Sequence, residues 1–211
     1  MNKNNGLIIL GFGGHARSIA DVALSIGFKS LIFIDENAKE GETFLGFKVL
    51  RDLPDDIPDN WLFMPAAGDN QKRQNQVQFI HSAQKSLATI ISKSATIGYG
   101  AKLSAGCFVA HHAHIGPMSS IGRACIINTG AIIEHECVVD DFAHLSVNSV
   151  LLGRSTLGKF VFLGAGTTVI NGISISDQVT IGAGGVVVKS IYKSGVYVGI
   201  PAKLITSLPI D

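Results

Sequence analysis

No stretch of this chain comes near the ~20 consecutive apolar residues that a membrane-spanning helix needs, although 46% of its 211 residues are hydrophobic. The apolar positions are interrupted every few residues. The N-terminal segment offers only residues 7–10 as an apolar block before a run of glycines. That is too short for a secretion signal, so the cytoplasm is the expected compartment. Neither sign of charge is in excess: the formal net charge is +1 and no run of like charge stands out. Nothing therefore argues for nucleic acid or an anionic membrane surface as a partner. Only three cysteines occur, Cys107, Cys125 and Cys137, with no Cys-x-x-Cys pair. They share one position of the repeat described next and read as small core residues, not as disulfide partners, metal ligands or nucleophiles.

What the chain has instead is a period of six. From Ile91 through Ile97, Leu103, Val109, Ile115, Ile121, Ile127, Ile133 and Val139 to Leu145, Leu151, Leu157, Leu163, Val169, Ile175, Ile181 and Val187, every sixth residue is aliphatic. Neither a helix nor a single strand generates such a period, so the C-terminal part reads as a solenoid. Four residues after most of these aliphatics comes a small one, among them Ala95, Ala101, Ala113, Ala131 and Ala143. A short strand that turns a corner every six residues needs that small inward residue. Glycines directly after the aliphatic, such as Gly98, Gly116, Gly122, Gly158, Gly164 and Gly182, fit the tight backbone the corners demand. Three hexads per triangular coil give between five and six coils.

The N-terminal residues carry a different pattern. Residues 6–10 read as a strand, 11–15 (Gly11-Phe12-Gly13-Gly14-His15) as a turn, 16–26 as a helix and 31–34 as a second strand ending at Asp35-Glu36. Glycines let a backbone approach a phosphate, a helix start presents free N–H groups, and an acid about 20 residues on suits a ribose hydroxyl. Residues 61–67 supply another strand, followed by Gly68, a polar helix to about residue 83, and residues 87–91 leading into the first hexad. The spacing departs from the full G-x-G-x-x-G, and roughly ninety residues make half of a dinucleotide fold. A sugar nucleotide is therefore preferred to NAD. The expected domains are 1–90, Rossmann-like and nucleotide-binding, and 91–211, the solenoid with its C-terminal tail.

The hexads resemble those of the hexapeptide-repeat acyltransferases, and the resemblance implies a left-handed parallel β-helix, the hand that ordinary crossovers avoid. Taken together, Gly11-x-Gly13-Gly14-His15, the solenoid, the stretch Asn128-Thr129-Gly130-Ala131 with His135-Glu136, and Gly199-Ile200-Pro201-Ala202-Lys203 resemble the bacterial sugar O/N-acetyltransferase family. Its sialic acid O-acetyltransferases and UDP-4-amino-sugar N-acetyltransferases share these features, and the match is nearest to the UDP-N-acetylbacillosamine type.

Acetyl transfer needs a base, an oxyanion donor and two positioned substrates. From the residues alone His135 is an exposed histidine on a solenoid face. The resemblance implies more: His135 as general base with Glu136 as its partner, and acetyl-CoA as co-substrate at His144, Gly153, Ala165 and Ala183. It also implies a nucleotide sugar at Gly13, Gly14, His15, Asp35, Glu36 and Gly68. His144 lies nine residues after His135, half a coil round the triangle. Both can serve one reaction if the sites form between neighbouring subunits, so a homotrimer is expected. His111, His112 and His114 point outward in different directions with no carboxylate or cysteine to complete a ligand set, so no metal is expected and they read as surface or trimer contact. The expected activity is acetylation of the 4-amino group of a UDP-linked amino sugar for bacterial glycans. The alternatives are O-acetylation of sialic acid or a related sugar, and a non-catalytic scaffold that binds a sugar nucleotide.

Overall fold

The computed structural model describes residues 6–207; residues 1–5, part of the segment read for a secretion signal, and residues 208–211 lie outside the described residues. The aliphatic run Leu7–Leu10 forms β1 and is wholly buried, as a central strand of a parallel sheet must be. The chain turns through Gly11 into α1 (Gly14–Ile26), which buries Ala16, Ile19, Ala20 and Ala23 at helical spacing. The helix begins two residues before the pattern suggests, because apolar periodicity cannot register a helix end built of glycine. Left-handed Gly27 (φ 110°) stops it, with the N–H groups of Gly27 and Phe28 returning to the carbonyls of Leu24 and Ala23.

With β2 (Leu31–Ile34), β3 (Thr43–Phe44), β4 (Phe47–Leu50) and β5 (Leu62–Pro65), the sheet has the order β3-β4-β2-β1-β5 and is parallel except at β3. The β3–β4 hairpin is an addition to the expected elements. It turns on Leu45 and Gly46, both at positive φ. α2 (Asn70–Ser82) follows, capped by the Asp69 carboxylate, which accepts the N–H of Lys72 at 2.8 Å.

From Ile90 the hexads form a left-handed parallel β-helix. Its first face stacks Ile90–Ile91, Phe108–Val109, Ile126–Ile127, His144–Leu145, Phe162–Leu163 and Val179–Ile181. The second runs from Thr96–Ile97 to Val186–Val187 and the third from Lys102–Leu103 to Ser174–Ile175. From Val109 onward every aliphatic of the six-residue frame is buried, and the three free cysteines are buried among them. The glycines after the aliphatics are needed for a reason other than the corner itself. A Cβ at Gly116 would lie 2.6 Å from the backbone of Glu134 in the next coil. The left-handed corner residue sits two positions later, where Met118, Glu136 and Arg154 all have φ near 60°. After the last coil, Gly195–Val198 and Lys203–Ser207 pair antiparallel on the first face, and the Gly199–Lys203 stretch connects them.

α1 and α2 dock on the first face, Ala16 and Ile19 sharing a core with Phe108 and Ile126, and Val77 packing on Ala124 and Phe142. The polar anchor is Arg73, 1% exposed. Its Nε donates to the Ala124 carbonyl and Nη2 to the Phe142 carbonyl, both at 2.7 Å, while Nη1 donates to the carbonyls of Ala67 and Gly68. Burial lowers its pKa to about 10, so it stays a cation, satisfied by carbonyls of both domains. Beside it lie His144, whose Nδ1 is 3.2 Å from the Gly68 carbonyl, and His15; both Nε2 atoms are buried without a partner. Burial, helped by Arg73, lowers His144 to about 4; burial, His144 and Arg73 lower His15 to about 3.

Between pH 6.5 and about 4 the unfolded chain therefore binds protons that these two imidazoles refuse in the fold, and stability falls as pH falls. The urea midpoint is expected to drop from pH 7 to pH 4.5, and the double substitution His15→Asn, His144→Asn to flatten that slope. An unchanged slope in the double variant contradicts the assignment.

Candidate functional site

The turns that follow β1, β2 and β5 enclose a cavity of about 850 Å³ at the carboxyl ends of the strands, where open α/β sheets take their ligands. Gly13, Gly14, His15, Asp35, Glu36 and Gly68 all line it. A side chain at Gly13, Gly14 or Gly68 would meet nothing within 4 Å, so at these points bare backbone faces open space. Gly13 is the N-cap of α1 and supplies no side-chain acceptor to the first turn, a helix start suited to a phosphate.

Asp35 is largely committed within the protein. Its Oδ2 accepts the Phe12 N–H at 2.8 Å and its Oδ1 the Asn37 N–H at 3.0 Å, which ties the glycine turn to the turn after β2. Glu36, exposed beside it, is the acid better able to meet a ligand. Two cations on the cavity wall, Lys72 and Arg51, were not singled out from the sequence. Lys72 lies in a helix with no motif around it, and Arg51 follows the strand of the unexpected hairpin. Past Gly68 and Asp69 a second hollow of about 500 Å³ continues between the start of α2 and the first solenoid face, walled by Phe160, Phe162, Gln178 and Thr180.

His135 stands elsewhere, on the corner between the second and third faces, which in a triangular coil lies opposite the first face. Its Nδ1 is 3.0 Å from Glu136 Oε2, so the carboxylate accepts the hydrogen bond of Nδ1–H, holds the proton on that nitrogen and leaves Nε2 as the basic one. The ring packs beneath Gly153 of the next coil: a Cβ there would sit 2.5 Å from Nε2. Any other residue at 153 would displace the imidazole. Glu136 is held below the usual carboxylate range, first by the hydrogen bond from His135 and then by Arg154, whose Nε donates to the same Oε2 at 3.0 Å.

The remaining named residues form no single cluster with these in one chain. Ala165 and Ala183 stack on consecutive coils at the corner between the first and second faces. Neighbouring Gly166 and Gly184 have open space where a side chain would be, leaving a strip of bare backbone along that corner. His144 is on the first face beneath Gly68, with Phe162 edge-on at 5.0 Å. With Nδ1 donating to the carbonyl, its buried Nε2 is an acceptor without a partner among the described residues. His111 is not simply surface. Its Nε2 bonds Asp21 of α1 at 3.0 Å and its Nδ1 lies 2.7 Å from Ser92 Oγ, so it joins the two domains. His114 pairs with Thr96 at 2.7 Å.

Comparison with known proteins agrees with this architecture. The family model described as the PglD N-terminal domain matches residues 6–80. The acetyltransferase domain of PglB from Neisseria gonorrhoeae, also solved in complex with acetyl coenzyme A, is 26% identical over 96% of this chain and 100% of that one, with a TM-score of 0.89. PerB from Caulobacter crescentus, solved with CoA and GDP-perosamine, is 31% identical over 96% and 98% of the two chains, with a TM-score of 0.84. A histidine-to-asparagine variant of perosamine N-acetyltransferase from the same organism, again with CoA and GDP-perosamine, is 30% identical over 97% and 98%, with a TM-score of 0.86. Near-complete coverage in both directions at 30% and 31% identity makes this chain a member of the bacterial sugar N-acetyltransferases that join a PglD-type N-terminal domain to a left-handed β-helix.

Proposed function

We propose that the protein transfers acetyl from acetyl-CoA to the 4-amino group of a UDP-linked amino-deoxy sugar in the cytoplasm, for bacterial glycan synthesis. The single observation that carries the chemistry is the corner at His135: an imidazole with Nδ1 engaged by Glu136 and Nε2 set against Gly153. Acetyl-CoA supplies an activated acyl thioester. On this reading the Gly153 N–H stabilises the oxyanion and His135 Nε2 takes the proton that the attacking amine sheds as its C–N bond forms. The same nitrogen can return that proton to the departing thiolate, so the base is restored each turnover.

The nucleotide sugar is assigned to the larger cavity, its diphosphate at the start of α1 near Lys72 and its sugar directed past Gly68 towards the first solenoid face, with Glu36 and Arg51 near the nucleoside. His144, Ala165 and Ala183 are assigned to acetyl-CoA. Because His135 stands across the coil from that cavity, one chain cannot bring the two together, and we place each site between two subunits of a homotrimer. Exposed Tyr99, Met118 and Val138 around the His135 corner suit such a contact.

His135→Ala is expected to keep the fold and nucleotide binding while turnover falls by about 10²–10⁴. Near-native turnover would remove His135 from the role. Thiol release from acetyl-CoA, followed with 4-amino sugars carried on UDP, dTDP and GDP, and with CMP-sialic acid and free sialic acid, is expected to be fastest with the UDP acceptor. Preference for the GDP acceptor would overturn the nucleotide assignment, and turnover confined to sialic acid or its CMP form would overturn N-acetylation.

A further inference from the structure

The corner at His135 contains a third group to which acetyl transfer as read above gives no role. Arg154 occupies, one coil on, the same left-handed corner position as Glu136, with φ 59° at both. Its Nε donates to Glu136 Oε2 at 3.0 Å, and that one oxygen also accepts from His135 Nδ1 at 3.0 Å. The backbone enforces the pairing, because the Arg154 N–H donates to the His135 carbonyl at 3.0 Å and so fixes the register of the arginine's coil on the histidine's. An exposed carboxylate held by one donor retains rotamer freedom; two charged or polar donors from two coils remove most of it. Pro117 and Met118, one coil below, bring no charge, Gly153 faces the ring from above, and Glu134 is the other ionisable neighbour on the histidine's own coil.

The geometry points to Arg154 as a positioning residue for acetyl transfer, resting on the reading of His135 as the base. It locks Glu136 in the rotamer that keeps the imidazole proton on Nδ1, and it offsets part of the negative field that Glu136 exerts on the ring. Without the carboxylate's grip the imidazole can turn, and a misplaced base loses rate without loss of substrate binding. Without the cation, the uncompensated carboxylate favours the protonated ring, which cannot act as a base.

The test is kcat and KM against pH for the full chain with acetyl-CoA and a UDP-4-amino sugar, in wild type, Arg154→Gln, Arg154→Lys and His135→Ala. Arg154→Gln is expected to lose about tenfold in kcat, with both KM values within about twofold and the acid limb of the profile moved to higher pH. Arg154→Lys, which keeps the charge, is expected to restore the position of the limb. If Arg154→Gln keeps the wild-type kcat and limb while His135→Ala is inert, Arg154 has no such role. A fall in kcat with an unmoved limb and a lowered thermal midpoint would also overturn it, as a merely structural effect. An active His135→Ala would remove the base itself, and is read separately from the arginine variants.

Discussion

The contacts between coils of the solenoid follow from its vertical repeat: three hexads close a coil, so a residue sits directly beneath the one eighteen positions on, at the ~4.8 Å spacing of paired strands. That spacing leaves no room for a side chain wherever the neighbouring coil already fills the space. Gly153 is bare because His135 occupies the space beside it, and Gly116 is bare because the backbone of Glu134 does. Where two side chains can lie side by side, the repeat brings opposite charges together. Arg154 meets Glu136, and at the corner between the third and first faces Arg123 meets Asp141 at 2.8 Å. A functional group on this fold is thus specified by a column of residues, not by a stretch of sequence.

The same repeat fixes distances around the triangle. The N-terminal domain occupies the first face, held there by Arg73 reaching carbonyls of both domains and by the His111 to Asp21 contact. Its cavity and the buried acceptor of His144 are consequently on that side. His135 is on the corner across from it, with a full solenoid core between. A coil of packed aliphatics does not flex to bring its opposite sides together. On the reading proposed here, assembly is part of the chemistry: each subunit offers a nucleotide-sugar cavity to one neighbour and a base to the other.

The hexad frame was legible because burial acts on every sixth residue independently of what the rest of the chain does. The β1-turn-α1-β2 unit was legible for a similar reason, each part being set by local periodicity and glycine. What was not legible is long-range or locally atypical. The β3–β4 hairpin turns on Leu45-Gly46, where leucine at positive φ gives no turn signal. Arg73 lies on a helix whose composition announces exposure, yet it is buried by carbonyls 51 and 69 residues away. Lys72, Arg51 and Arg154 carry no motif and acquire meaning only from what the fold sets beside them. The glycines after the aliphatics stand out in the sequence, but the clearance between coils that requires them cannot be seen in a one-dimensional pattern.

The central claim is that two different chains build each site, and mixing two inactive variants tests it most directly. His135→Ala lacks the base, and Gly14→Glu sets a carboxylate at the phosphate turn; each alone is inactive on this account. When the two are unfolded together, refolded and assayed, the account predicts restored acetyl transfer, because some interfaces then pair an intact cavity with an intact base. Mixed assemblies that form, verified by differently tagged subunits, yet show no activity above either parent would contradict it.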